Sequence, residues 1–264
     1  MEIKKRGIFR ESWEYIKFCR KYIYAISIIF LLGTFLGFFL RNDLGFLDSF
    51  LRDIVNQTKG MNLPELIFFI FQNNLRSAFF TMLFGIFLGL SPMINALFNG
   101  TILGYVFSKA EMAEGFIVIF RVLPHGIFEL PAIFISLGMG LKLGLGFIEN
   151  YFALYKKMHS KKIMGIFSLI GALFGIIIFL AFISNSVYVL NKITWISWVI
   201  FVFGIALIGQ LFYFFVIKDK ALRKIQKEII AGRIYSSLKV FFVIIIPLLL
   251  TAAIIEGILI IAYK

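Results

Sequence analysis

Residues 22–40, 163–184, 193–217 and 240–262 each run for about twenty residues, and Glu256 is the only charged side chain among them. A helix rises about 1.5 Å per residue, so a run of this length crosses the hydrocarbon core of a bilayer. Inside that core no water is at hand for backbone N–H and C=O groups, and a crossing segment must satisfy them within itself. Runs of this length therefore fold as helices, and open sheets and irregular loops are excluded. Three further runs, 65–90, 93–108 and 124–147, are apolar but shorter or interrupted by isolated polar residues. The expected fold is an all-α, polytopic transmembrane helix bundle of about seven spans. Composition agrees, with 61% hydrophobic and 18% aromatic residues among 264 and a mean hydropathy of +0.95. A soluble domain of this size has no use for so much apolar surface.

The net charge of +13 would suggest nucleic acid in a soluble protein. Here the basic residues flank spans, which points to membrane topology and contact with anionic lipid headgroups, with no nucleic-acid partner. With seven crossings and a cytoplasmic N-terminus, segments 1–21, 142–162 and 218–239 share the cytoplasmic side. They hold 7, 5 and 7 of the 27 Lys and Arg residues, in keeping with the positive-inside rule. Six crossings would put the two later basic segments outside. The expected location is the plasma membrane, multi-pass, with the C-terminus outside. Residues 1–21 read as an amphipathic helix on the cytoplasmic headgroups, dipping Ile8, Phe9, Trp13, Tyr15, Ile16 and Phe18 inward. Cys19 is the only cysteine, which excludes an intramolecular disulfide and a cysteine-based metal cluster.

Between the spans, Leu44, Leu47, Leu51 and Ile54 recur at helical spacing and predict a short surface helix within 41–64. Pro64 fits the start of the next helix. Ser91-Pro92 reads as a tight turn, 109–124 as a connection whose apolar run 116–120 is re-entrant or interfacial, and 148–162 as a basic loop. Pro92, Gly100, Pro124, Pro131 and Pro247 are the expected helix-breaking positions. Pairs at Gly33/Gly37, Gly85/Gly89, Gly100/Gly104, Gly140/Gly144 and Gly171/Gly175 have the spacing that lets helix backbones touch. They suggest one membrane domain, with a glycine-packed five-span unit over 22–184 and two looser spans within 185–264.

The polar residues at membrane depth are the candidate functional groups. Residues 121–131 set Arg121, His125 and Glu129 between prolines; His125 and Glu129 are four apart and share a helix face. Asn73 and Asn74 lie in the second span, Asn99 in the third and Glu256 in the last, so four helices offer polar groups to the middle and outer layers. One reading is a polar cavity open to the outside, with Glu129 and Glu256 binding a proton or cation. The other is structural: the asparagines and Arg121 cap broken helix ends, and His125 pairs with Glu129. His125, Glu129 and Glu256 form a weaker alternative as a divalent-metal set; no cofactor is called for. An enzyme is not expected. The chain lacks His-Glu-x-x-His, Gly-x-Ser-x-Gly and P-loop motifs, and its aspartates avoid the spans.

These features together resemble the stage II sporulation protein M family. The resemblance rests on Asn73-Asn74, Gly85 and Gly89, Asn99-Gly100 with Gly104, Pro124-His-Gly-Ile-Phe-Glu129 followed by Gly138, and the run from Pro247 to Glu256. It extends over about residues 65–260. It implies a membrane scaffold that, in endospore formers, holds peptidoglycan-degrading partners at the septal membrane without being the hydrolase. The long basic N-terminal helix and the extra length around spans five and six depart from the family pattern. The functional expectation is a scaffold or assembly factor whose partners are membrane or envelope proteins, a second copy of the chain among them. The alternative is a transporter or channel for protons, cations or a small solute that uses Glu129 and Glu256.

Overall fold

A computed structural model describes residues 7–86, 89–115, 118–157 and 220–262. Its regular elements are helices: α1 (Ile8–Phe39), α2 (Phe46–Thr58), α3 (Leu63–Phe84), α4 (Leu90–Glu114), α5 (Val118–Lys157), α6 (Lys220–Val240), a π-helical turn (Phe241–Ile245) and α7 (Ile246–Ala262). Five stretches, Ile8–Phe39, Leu63–Phe84, Leu90–Met112, Gly126–Gly146 and Glu228–Ala262, are long and apolar enough to cross a membrane. They coincide with five of the seven expected spans. The other two, at 163–184 and 193–217, lie outside the described residues, as does the pair Gly171/Gly175. The chain divides into two compact units, Met1–Gly146 with Ile225–Lys264, and Phe147–Lys224.

At the N-terminus the expected surface helix and first span are one continuous helix of 32 residues. Its buried residues Ser12, Ile16, Cys19, Ile26, Phe30, Gly33 and Gly37 fall on one face, and they run straight across the expected boundary at residue 21. With no proline or glycine near that boundary, nothing ends the helix. Its length, about 48 Å, exceeds the roughly 30 Å of hydrocarbon.

Glycine decides how α1 meets α4. A Cβ on Gly33 or Gly37 would run into the carbonyls of Leu97 and Thr101, and one on Gly100 or Gly104 into those of Phe30 and Thr34. The two pairs interlock reciprocally, bringing backbone against backbone. Gly100 therefore does not interrupt its helix, because α4 is continuous through Asn99 and Gly100. Gly85 meets Gly140 of α5 in the same way, and Gly138 of α5 packs against Ile23 of α1.

The helix ends differ from the sequence expectation in instructive places. α3 opens on a capping box: the Glu65 N–H donates to Asn62 Oδ1 and the Asn62 N–H to Glu65 Oε2, each at 3.0 Å, with Pro64 in the first turn. The turn into α4 falls before Ser91-Pro92, at Gly89, whose φ of 72° suits glycine. Pro92 sits in the first turn of α4, where its missing N–H has no intrahelical acceptor to lose. α4 ends at Gly115, and residues 118–120, expected in the re-entrant run, open α5. That helix passes through Pro124 and Pro131 and continues over 148–157, expected as loop. Neighbouring helices make such prolines tolerable in a bundle. Pro247 likewise does not end its helix. Just ahead of it the Ile246 N–H bonds to the carbonyl of Phe241, five residues back, and this wider turn accommodates a ring that would crowd an α-helical one.

The core forms where α1, α3, α5 and the α6–α7 segment meet, around Cys19, Met82, Ala132, Met139, Phe241 and Leu249. A second cluster joins Ile26 and Phe30 of α1 to Ala96 of α4 and Leu137 of α5. Leu66 and Ile70 of α3 pack on Ala253 of α7, and Gly257 admits Ile67. The last span thus belongs to the same compact unit as the four described spans before it. Ala253 and Gly257 supply a small-residue step that a search for glycine pairs does not see.

Candidate functional site

Three of the sequence-predicted polar residues converge from three helices. Asn74 on α3 donates from Nδ2 to Oε1 of Glu129 on α5 at 2.9 Å. Glu256 on α7 lies within electrostatic reach of Glu129. All three side chains are half-buried. Neighbouring carboxylates repel one another, and Asn74 holds one oxygen of Glu129.

The other predicted residues are placed differently. Asn73 is exposed beside Asn74. Asn99 belongs to a separate ladder, donating from Nδ2 to the carbonyl and Oδ1 of Asn95, each at 2.9 Å. Asn95 Nδ2 in turn reaches Ser77 Oγ at 3.4 Å and Thr81 Oγ1 at 3.3 Å, which ties α4 to α3. The i, i+4 spacing of Asn95 with Asn99, and of Ser77 with Thr81, was the available sequence signal. Arg121 and His125 stand on α5 two turns and one turn before Glu129, and their side chains lie outside the described residues. Among the described residues no three His, Cys, Asp or Glu side chains converge as a metal set.

Two further polar clusters mark the ends of the unit. At one end Tyr15 shares contacts with the Arg233 carbonyl and Ser237 Oγ, each at 3.3 Å, and Lys239 bonds to Glu11 at 2.5 Å. Lys142, counted by sequence in the basic segment 142–162, is only 5% exposed. It donates to the Tyr22 hydroxyl at 3.0 Å and lies over the Phe18 and Tyr22 rings at 5.0 and 4.7 Å. At the other end the buried Tyr105 of α4 donates to Asp48 Oδ1 of α2 at 2.6 Å, with Lys109 Nζ 3.4 Å from Oδ2. The Tyr105 hydroxyl, helped by Lys109, holds the Asp48 carboxyl below its usual range. Arg41 donates to Ser108 Oγ at 2.9 Å nearby.

Long apolar helices packed through glycine, with hydrogen-bonded polar residues between them, define a polytopic α-helical membrane protein. Residues 26–185 match the family described as stage II sporulation protein M, and the chain belongs to that family. The match begins earlier than the expected 65–260 and stops before the last span, so Asn74, Asn99 and Glu129 fall within it and Glu256 does not. Among similar proteins, uncharacterized protein MJ0793 of Methanocaldococcus jannaschii is 31% identical over 120 residues, 44% of this chain and 64% of its own length. Uncharacterized protein MJ0706 of the same organism is 32% identical over 141 residues, 49% of this chain and 62% of its own length. The chain therefore spans just under two thirds of each relative. No solved structure matches.

Proposed function

We propose that this protein is a non-catalytic scaffold or assembly factor of the plasma membrane, holding other membrane or envelope proteins. The observation that carries this reading is that the polar side chains at depth bond helix to helix. Asn74 binds Glu129, Asn95 spans to Ser77 and Thr81, and Ser136 Oγ donates to the buried Ala78 carbonyl at 2.8 Å. With the interlocked glycines of α1 and α4, these bonds make a fixed frame suited to presenting loops to partners. The family resemblance supports the same role. The reading includes seven crossings, a cytoplasmic N-terminus, an external C-terminus and anionic lipids at the basic face. It is supported by the meeting of α1, Lys142 and α6 at one end of the unit, since segments 1–21, 142–162 and 218–239 carry 19 of the 27 basic residues. The residues before the first span would rest on the headgroups, as an extension of α1.

A second reading, a transporter or channel for protons, cations or a small solute, is favoured by the proximity of Glu129 and Glu256 within the spans. One experiment separates the two. The parent, Glu129→Gln and Glu256→Gln are reconstituted in liposomes for proton and cation flux, and crosslinked partners are captured from membranes in parallel. The scaffold reading expects no flux from any sample and partner capture by the parent. Flux in the parent that both variants lose would overturn it.

A further inference from the structure

α2 divides its surface into three arcs. Leu47 (1% exposed), the half-buried Leu51 and Asp48 turn towards the bundle, Asp48 being held by Tyr105 at 2.6 Å. Phe46, Phe50 and Ile54, four residues apart, make an adjoining stripe that is 61%, 40% and 38% exposed. Ser49, Arg52, Asp53 and Asn56 are exposed and, at about 100° per residue, fill the remaining arc, while in the last turn Gln57 shares the angle of the stripe and Val55, 63% exposed, stands beyond the reach of the bundle. A helix in water needs no such apolar stripe. A helix surrounded by hydrocarbon would not tolerate the polar arc.

We infer that α2 is inserted into the lipid interface, with Phe46, Phe50 and Ile54 among the acyl chains and the arc of Arg52 and Asn56 towards the headgroups. The occupant follows from continuity. The Phe50 ring meets Phe98 of α4 edge-on at 6.2 Å, and Phe98 is 45% exposed on the flank of a membrane-crossing helix. The exposed flank of α4 therefore adjoins the stripe of α2 where Phe98 meets Phe50. The Tyr105–Asp48 bond keeps α2 against α4, so the stripe stays beside the lipid that bathes Phe98. An apolar arc next to a polar arc is the pattern of a helix lying in the plane of the interface. The sequence pattern of Leu44, Leu47, Leu51 and Ile54 had pointed to a different face, most of which the bundle covers.

The test uses the full chain in vesicles of mixed zwitterionic and anionic phospholipid. Nitroxide labels are placed at Phe50→Cys and, separately, Asn56→Cys in a Cys19→Ala background. Because Cys19 is 0% exposed, the same labels can be introduced with it in place should that background reconstitute poorly. Power saturation with oxygen and with a water-soluble nickel chelate then reads the depth of each label. The position-50 label is expected to favour oxygen several-fold and the position-56 label to favour nickel. Preference for nickel at both positions places α2 in water and overturns the inference. Protection of position 50 from both reagents shows that protein, for instance a second copy, covers the stripe and overturns it as well.

Discussion

Gly37→Ala in α1 tests whether the α1–α4 contact is as close as its geometry indicates. A Cβ at Gly37 would stand 2.8 Å from the Thr101 carbonyl carbon and 2.9 Å from the Tyr105 nitrogen, where ordinary contact begins at 3.4 Å. These neighbours are backbone and cannot rotate away, so the helices must part by about 0.5 Å or more. A gap of that size forfeits roughly a quarter to a half of each dispersion contact along the seam. Overpacking of this kind costs about 1–3 kcal/mol. Better helix propensity returns roughly 0.8–1.0 kcal/mol for any glycine-to-alanine change inside a helix. Gly232→Ala in α6 supplies the control, because nothing lies within 4 Å of its Cβ position. Propensity cancels between the two variants, so Gly37→Ala should be less stable than Gly232→Ala by about 1–3 kcal/mol. Unfolding of each variant in mixed micelles by rising dodecyl sulfate, followed by far-ultraviolet circular dichroism, measures that difference. Equal midpoints would refute a backbone-to-backbone contact at this seam.

Two further outcomes are expected. Asn74→Ala removes the donor at 2.9 Å from Glu129 and should destabilise by about 1–3 kcal/mol, and adding Glu129→Gln should recover part of that loss; simple additivity of the two losses in a double-mutant cycle would argue against coupling. Because the folded Asp48 carboxyl is held below its unfolded value, its contribution is fully present above the ordinary carboxylate range and is lost as pH falls through the depressed value. Unfolding midpoints from roughly pH 6 down to pH 2 should show that loss in the parent and a weaker one in Tyr105→Phe. Identical pH profiles would remove Tyr105 as the cause.

Residue spacing alone disclosed which surfaces of the spans matter, and much less about which surfaces meet. Gly33/Gly37 and Gly100/Gly104 were legible as places of close approach, but their reciprocal fit is a property of two helices some sixty residues apart. The same limit hid Tyr105–Asp48, a buried phenol and a carboxylate separated by 57 residues. Asn74 with Glu129 was foreseen as a shared depth; that they bond was not. Punctuation misled more than periodicity did. Ser91-Pro92 reads as a turn, yet proline is at home in a first helical turn, and the turn itself falls at Gly89. The expected boundary at residue 21 marks where charge gives way to hydrocarbon, whereas helix continuity follows backbone propensity and the buried stripe, which do not change there.

The π turn at Phe241–Ile245 has a consequence for the aim of Glu256. An α-helix advances about 100° per residue, and a wide turn carries one residue of slack. Everything beyond it is phased against everything before it by that slack. Val240 and Phe241 join the core with Ile16 and Cys19, Phe241 also meeting Phe79 of α3, and beyond the turn Ala253 and Gly257 pack on α3. Deleting one residue in 241–245 would remove the slack and leave the distal segment near its present phase, whereas tightening the turn to an α-helical one with all five residues kept would swing that segment through about 100°. The Glu256 carboxylate would then rotate away from Glu129 while every residue of the site stayed intact. Whether this site is assembled is thus encoded as a phase, in a stretch of plain hydrocarbon side chains that never touches it.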